Sequence, residues 1–390
     1  MSEFIYLDHA ATTPVRPDVL AAMQPYLSER FGNPSSVHRW GREARAALDE
    51  ARERVAACLG ARGDEIIFTS GGTEGDNTAV VCTALAIRDV TPARRTIICG
   101  PTEHKAVLEA VHAAARVHGF AEQQFVVDHD GVVDLDAARA ALGAGTAVAS
   151  LMWINNEVGT VQPIADLAAI AKAAGVVMHT DAVQAFGKVA IDVREVPVDM
   201  LAISGHKLGA PKGIGALYVR RGTPFSPLLV GGTQERGRRP GTENVGAAVA
   251  LATACELAVA EREATWTRLQ SLRDAFEAQV RALVPDVIVH GEHGPRAPHI
   301  SNLSAPGAST EALLMTLDLA GIAASGGSAC QSGSVNPSHV LGAMGVSPSI
   351  AGAAVRVSFG SLNSPDQVAR VAAAYADAVA KSRQFGALLG

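Results

Sequence analysis

The stretch DMLAISGHKLGAPKGIGALYV, Asp199–Val219, decides how this chain is read. Two apolar runs flank a glycine-rich turn, and both read as buried strands. The second run is expected to fold back as a hairpin arm, giving one antiparallel strand. Lys207 follows His206 inside the turn rather than riding among other charges on a helix. A lysine at the mouth of a buried hairpin is either a phosphate contact or a reactive amine.

Working outward, short β-rich runs alternate with helical patterns over the first two-thirds of the chain. EIIFTS (65–70), TIICGP (96–101), EQQFVV (122–127), TAVASLMWI (146–154) and VVMHTDAV (176–183) are strand-like. Between them, residues 73–88, 104–119, 135–142 and 164–175 carry helical periodicity. Near-continuous apolar strands separated by helices predict an α/β fold with a mostly parallel sheet covered on both faces. A helical pattern then runs from Val245 to Leu283, too long for one globular helix without a change of partners. It reads as a spine between a large domain and a smaller one. The strands DVIVHG, HISNLSA and AVRVSFG and the helices near 310–321 and 365–383 give the remainder an α+β pattern.

Composition narrows the function. The chain has 390 residues, 48% hydrophobic and 18% charged, with a net charge of −6. A large core is within reach, and two or three domains are expected. No basic stripe offers phosphate contacts, which argues against nucleic acid or an anionic membrane as partner. The most apolar stretch, Val245–Ala260, is interrupted by Glu256 and falls short of a span of about 20 residues. No secretory leader pattern opens the sequence. Five cysteines without a CxxC pair fit a reducing cytoplasm better than a disulfide framework. No HExxH spacing occurs, so no metal site is expected.

Several local constellations bear on chemistry. FTSGGTEGDN (68–77) is a strand, a small-residue turn and a helix start, which can aim backbone N–H groups at a phosphate or be an ordinary capped turn. In HTDAVQ (179–184), Asp181 ends an apolar strand, where open α/β sheets bind ligands. A lysine amine, an acidic partner for a pyridinium nitrogen and a phosphate cradle are together the requirements of a pyridoxal phosphate site. His104, in EHKAV, either caps a helix or stacks on such a cofactor and carries protons. Arg356 interrupts an apolar strand and needs an anion, either an internal carboxylate or a substrate carboxylate. Cys330 sits in the glycine- and serine-rich loop ASGGSACQSGSVNPSH (324–339), where it is either a tolerated surface thiol or a mobile nucleophile. Cys58, Cys82, Cys99 and Cys255 read as packing residues, and HGEHG (290–294) as a polar turn.

With these residues in view, the chain resembles the cysteine desulfurases of the nitrogen-fixation and iron–sulfur-assembly type, pyridoxal-phosphate enzymes related to class V aminotransferases. The matching motifs are YLDHAATTP, FGNPSSVH, FTSGGTEGDN, EHKAV, NNEVGTVQPI, HTDAVQAFGK, SGHKLGAPKGIG, GGTQERGRRPGTENV, SGGSACQSGS and VRVSFG. They occur in family order over nearly the whole length.

The resemblance implies the pyridoxal-phosphate-dependent transferase fold of the aspartate-aminotransferase type (fold type I). Residues 16–259 would form a large domain on a mostly parallel seven-stranded sheet, and 1–15 with 260–390 a smaller α+β domain carrying the Cys330 loop. Lys207 would hold the cofactor as a Schiff base, Asp181 would pair with the ring nitrogen, and His104 would stack over the ring. Gln184 and Asn156 would approach the ring oxygen and the substrate carboxylate. Gly72, Thr73, Ser204 and His206 would hold the phosphate, joined by Thr242 from the other subunit of a homodimer. Arg356 would bind the carboxylate of L-cysteine. Cys330 would take its sulfur as a persulfide, leaving alanine, for delivery to an iron–sulfur scaffold or another acceptor protein. A selenocysteine lyase or another pyridoxal-phosphate lyase or aminotransferase of the same fold is the alternative, and a non-catalytic interaction protein is disfavoured by the intact Lys207, Asp181 and His104. Two departures stand out: Gln331 follows the cysteine where family members often carry a small residue, and the sequence ends 30 residues after SFG. These bear on loop dynamics and on the choice of acceptor, not on the reaction type.

Overall fold

The computed structural model describes residues 4–326 and 338–389. Its largest sheet has seven strands: β2 (Ile66–Thr69), β3 (Thr96–Cys99), β4 (Ala121–Gln124), β5 (Thr146–Ser150), β6 (Val177–Asp181), β7 (Met200–Ser204) and β8 (Gly215–Val219). Their order is β2-β8-β7-β6-β5-β3-β4. The strands β4, β3, β5, β6 and β7 pair in parallel, and β8 runs antiparallel to both β7 and β2. The antiparallel arm is therefore the hairpin read at Asp199–Val219. Since β8 reverses direction twice over, β2 ends on the same edge as β7.

Every residue of β2, β5, β7 and β8 is buried, as a sheet covered on both faces requires. At the outer edge, β4 is exposed along its whole length and begins one residue before the run EQQFVV, ending three residues short of it. Its polar sequence carries no burial signal from which to place its ends. The strand start at Gly215 depends on having no side chain. A Cβ there would lie 2.5 Å from the Ile203 carbonyl oxygen and 2.8 Å from Gly71 Cα. This close approach sets the turn after β2 beside the end of β7.

The long helical pattern is two helices, Val245–Ala260 and Arg262–Leu283, separated at Glu261. The first is apolar nearly all round and buried in the main core, where it packs beside the helix Arg39–Leu59. The second is amphipathic and turns its apolar side to another core. That core gathers Phe276, Leu303, Val355 and Tyr375, together with Ile5 and Leu7 from the opposite end of the chain. Its strands are β9 (Ile288–Val289), β10 (Ile300–Ser304) and β12 (Ala354–Ser358), antiparallel in the order β12-β10-β9. A separate parallel pair joins β1 (Ile5–Tyr6) to β11 (Ile322–Ala323). His290, expected in a polar turn, is instead buried, with Nε2 2.8 Å from Ser304 Oγ.

Candidate active site

Because β2, β5, β6 and β7 end on one edge of the sheet, the segments that follow them meet there. They enclose a cavity of about 250 Å³. Lys207 lies three residues past β7 in a short 3-10 turn, and Asp181 is the last residue of β6. Gly72 and Thr73 open the helix after β2, and Met152 and Asn156 follow β5. Ten sequence-selected residues line this one cavity: Gly72, Thr73, His104, Asn156, Asp181, Gln184, Ser204, His206, Lys207 and Arg356.

Lys207 Nζ donates to the carbonyl oxygens of Ala10 and Ala11, each at 2.6 Å. Burial, with Arg356 nearby, pushes its ammonium down to about 8. The N-terminal arm that receives these bonds is held from the other side, since Gln184 Nε2 also donates to Ala10 O at 2.8 Å. Asp181 is buried and accepts the Val183 N–H at 2.8 Å. Burial raises its pKa, opposed by His104, that backbone bond and Lys207. His104 both caps its helix and lines the cavity. Its Nδ1 accepts the Ala106 N–H at 3.1 Å, so the neutral ring carries its proton on Nε2. Burial depresses its pKa and keeps that neutral form.

Arg356 is almost wholly buried and is met by an internal carboxylate, Asp8 Oδ1, at 2.7 Å. It also donates to the Asn156 carbonyl at 2.7 Å. Asp8 lies in YLDHAATTP but was not selected from sequence, because its partner is 348 residues away.

Beneath Asp181 lies a polar cluster that sequence reasoning missed. His179, on the same face of β6, places Nδ1 3.0 Å from Ser150 Oγ, which donates to Glu103 Oε1 at 3.1 Å. Asp76 Oδ1 faces His179 Nε2 at 3.5 Å. Burial raises Asp76 well above the carboxylate range and takes Glu103 to about 8, both helped by the charge of Asp181. Burial holds His179 down to about 3. Among these three carboxyl groups, Asp181 is the one with a cation, Lys207, and a backbone N–H to offset burial, and it lines the cavity. The local signal for Glu103 and Asp76 was present in EHKAV and TEGDN, but their burial is a property of packing.

One described sequence-selected residue is not in the cavity wall. Thr242 is exposed on the loop Gly231–Val245, outside the cavity of its own chain. Cys330 lies outside the described residues, as does Gln331. The described flanks of that segment both reach the site. Ser325 pairs through its backbone with Arg356, and His339 lines the cavity with Nε2 2.9 Å from the Glu103 carbonyl. The four described cysteines are free thiols, and burial pushes Cys58 and Cys82 up to about 11 and Cys99 and Cys255 further, as inert packing residues require.

The donor set fits pyridoxal phosphate: an amine of lowered basicity, a buried carboxylate, a flat imidazole, and hydroxyl and backbone N–H groups at a helix start. The model for the aminotransferase class-V family matches residues 5–371. This chain belongs to that family. Within it, the chain is 45% identical over 360 residues to the cysteine desulfurase IscS of Dictyoglomus turgidum, covering 92% of this chain and 90% of the relative. It is likewise 45% identical over 368 residues to the cysteine desulfurase NifS of Azotobacter vinelandii, covering 94% and 90%. A solved NifS-like protein superposes with a TM-score of 0.90 at 35% identity, over 97% of this chain and all of that one.

Proposed function

We propose that this protein is a pyridoxal-phosphate-dependent cysteine desulfurase that converts L-cysteine to L-alanine and passes the sulfur to Cys330 as a persulfide. The observation that carries the reading is the convergence of Lys207, Asp181 and His104 on one cavity, in a chain close over its length to relatives that bear this activity in their names.

Lys207 would hold the cofactor, Gly72, Thr73, Ser204 and His206 its phosphate, and Asp181 the proton on its ring nitrogen. Bound there, pyridoxal phosphate supplies an electron sink for charge developing on the substrate carbons. Gln184 and Asn156 would meet the ring oxygen and substrate. Arg356, oriented by Asp8, would fix the carboxylate of L-cysteine. Lys207 is the residue able to accept and return a proton near neutral pH, because its basicity is already lowered. His104, a cavity-lining residue whose Nδ1 is already occupied, would stack on the ring and could move a proton through Nε2. The sulfur transfer balances as an exchange: the substrate Cβ–S bond breaks, an S–S bond forms on Cys330, and protons complete alanine at the carbon. The anchoring of Ser325 and His339 at the cavity supports Cys330 as the acceptor.

A homodimer accounts for Thr242, which would reach the phosphate of the neighbouring subunit. Exposed Phe31, Val37, Trp40 and Val230 support such an interface, and Arg45 ties this region to the Thr242 loop through Pro34 O and Glu243. A division into 16–259 and 1–15 with 260–390 is supported by the break at Glu261 and by the packing of Ile5 and Leu7 in the second core. We place the protein in the cytoplasm, delivering sulfur to an iron–sulfur scaffold or similar acceptor. Reduced cysteines suit that setting, and no described helix is long and apolar enough to cross a membrane.

The test is alanine formation from L-cysteine, with cofactor and a thiol reductant, in wild type and Cys330→Ala. Wild type should release alanine and sulfide and the variant neither. Equal activity in both would remove Cys330 from the reaction, and no alanine from either would end the desulfurase reading.

A further inference from the structure

A second cavity, of about 710 Å³, lies in the crevice between the two cores, and Lys207 contributes to the walls of both cavities. Its lining carries a surplus of positive charge. Arg16, Lys188, Lys207 and Arg268 are set against a single carboxylate, Glu261, among the described lining residues. Both oxygens of Glu261 are already taken by Arg16, at 2.8 and 2.7 Å. Arg268 donates to two neutral acceptors, the carbonyl oxygens of Asn363 and Gly360, each at 3.0 Å.

Lys188 is the distinctive group. Its ammonium has neither a carboxylate nor a hydrogen-bond acceptor among the described residues, and burial lowers it to about 8, so it is still mostly protonated near neutrality. Beside it stand two buried imidazoles, close enough for its charge to depress both. His9 has no partner for either ring nitrogen, and His299 none for Nδ1. The half-buried Lys188 ammonium on this wall has no counter-charge among the described residues, and a bound anion would supply one. The rest of the lining is largely apolar, with Phe186, Leu208, Leu269 and Phe359.

We propose that this cavity is a second ligand site, for an organic carboxylate with an apolar body. Its head group pairs with Lys188, and its body lies against Phe186, Leu208 and Phe359. The volume suits a small organic molecule. The site is wired to the catalytic lysine by short steps. His299 Nε2 lies 3.4 Å from Gln184 Oε1, and Gln184 Nε2 shares the Ala10 carbonyl with Lys207 Nζ. A ligand there would be felt at Lys207 without entering the catalytic pocket.

The test uses holoenzyme, so that the catalytic pocket is filled. Binding of the fluorescent apolar anion 8-anilinonaphthalene-1-sulfonate is measured, then its displacement by octanoate and by octanol. Saturable binding of one probe per chain, displaced by octanoate and not by octanol, is expected. Lys188→Met should weaken octanoate by about tenfold or more, the loss of one charge-assisted bond, and Lys188→Arg should retain it. Circular dichroism and cofactor content check that each variant is folded. Absence of saturable binding, equal displacement by octanol, or unchanged octanoate affinity in folded Lys188→Met would each overturn the proposal. The octanoate–octanol comparison on wild type decides the matter even if the variants fail to fold.

Discussion

Arg52→Met should separate a buried ion pair from its consequences. Arg52 lies on the helix Arg39–Leu59 and Glu235 on the loop Gly231–Val245, which also carries Thr242. Their contact is two-pronged, at 2.5 and 2.7 Å, with side chains 6% and 2% exposed. Glu235 also accepts the Phe68 N–H at 3.1 Å, and the guanidinium stacks 4.8 Å from the Phe68 ring centre, just ahead of Gly72 and Thr73. Glu235 and Arg236 both hold left-handed backbone, with φ of 48° and 59°, a conformation that costs about 1–2 kcal/mol at each non-glycine residue. The pair therefore helps hold the loop on its course, beside the Arg45–Glu243 and Arg239–Glu74 contacts. Removing Arg52 alone strands a carboxylate in the core, at a cost of about 3–5 kcal/mol. The double variant Arg52→Met/Glu235→Leu removes both charges. It leaves chiefly the Phe68 N–H unsatisfied, worth about 1–3 kcal/mol. Urea unfolding of the four members of this cycle should thus find the double variant more stable than Arg52→Met. Limited proteolysis should find the loop cut faster in Arg52→Met than in wild type. A cost below about 1 kcal/mol for Arg52→Met, or strictly additive single effects, would refute the reasoning.

Two further outcomes concern protons. Glu103 releases its proton at about 8 when folded, against about 4.5 for an ordinary carboxyl. Between those values the folded state binds more protons than the unfolded one, so the stability owed to this group falls as pH rises from about 4.5 through 8. Glu103→Gln, which mimics the protonated form, should flatten that decline in urea midpoints across the range, and parallel profiles for the two proteins would count against a buried neutral carboxyl. For Lys207, capture of pyridoxal phosphate by apoenzyme requires the neutral amine. Its rate, followed by stopped-flow absorbance, should climb with pH and level off above about 8, whereas a lysine of ordinary basicity would still be accelerating near 10.

Much of this architecture was legible along the chain. The β–α alternation, the antiparallel arm at Ile214–Val219 and the division of the 245–283 pattern follow from periodicities that each segment carries by itself, because one face of every element must be buried. Lys207, Asp181 and the Gly72–Thr73 turn were legible for a related reason. Strand ends and small-residue turns are where an α/β sheet exposes backbone and side chains to a ligand, and that geometry is local. What only the tertiary structure decided is which charges meet. Asp8 with Arg356, Arg52 with Glu235, and the stack of Asp76, His179, Ser150 and Glu103 join residues from separate elements, and none announces its partner in sequence. The crevice holding Lys188, His9 and His299 belongs to the same class. Lys188 closes the HTDAVQAFGK motif, and its lack of a counter-charge among the described residues arises only when the N-terminal arm and the second core fold against it. Burial sets the energetic weight of a charge, and burial is a sum over the whole fold, not a property of any one stretch.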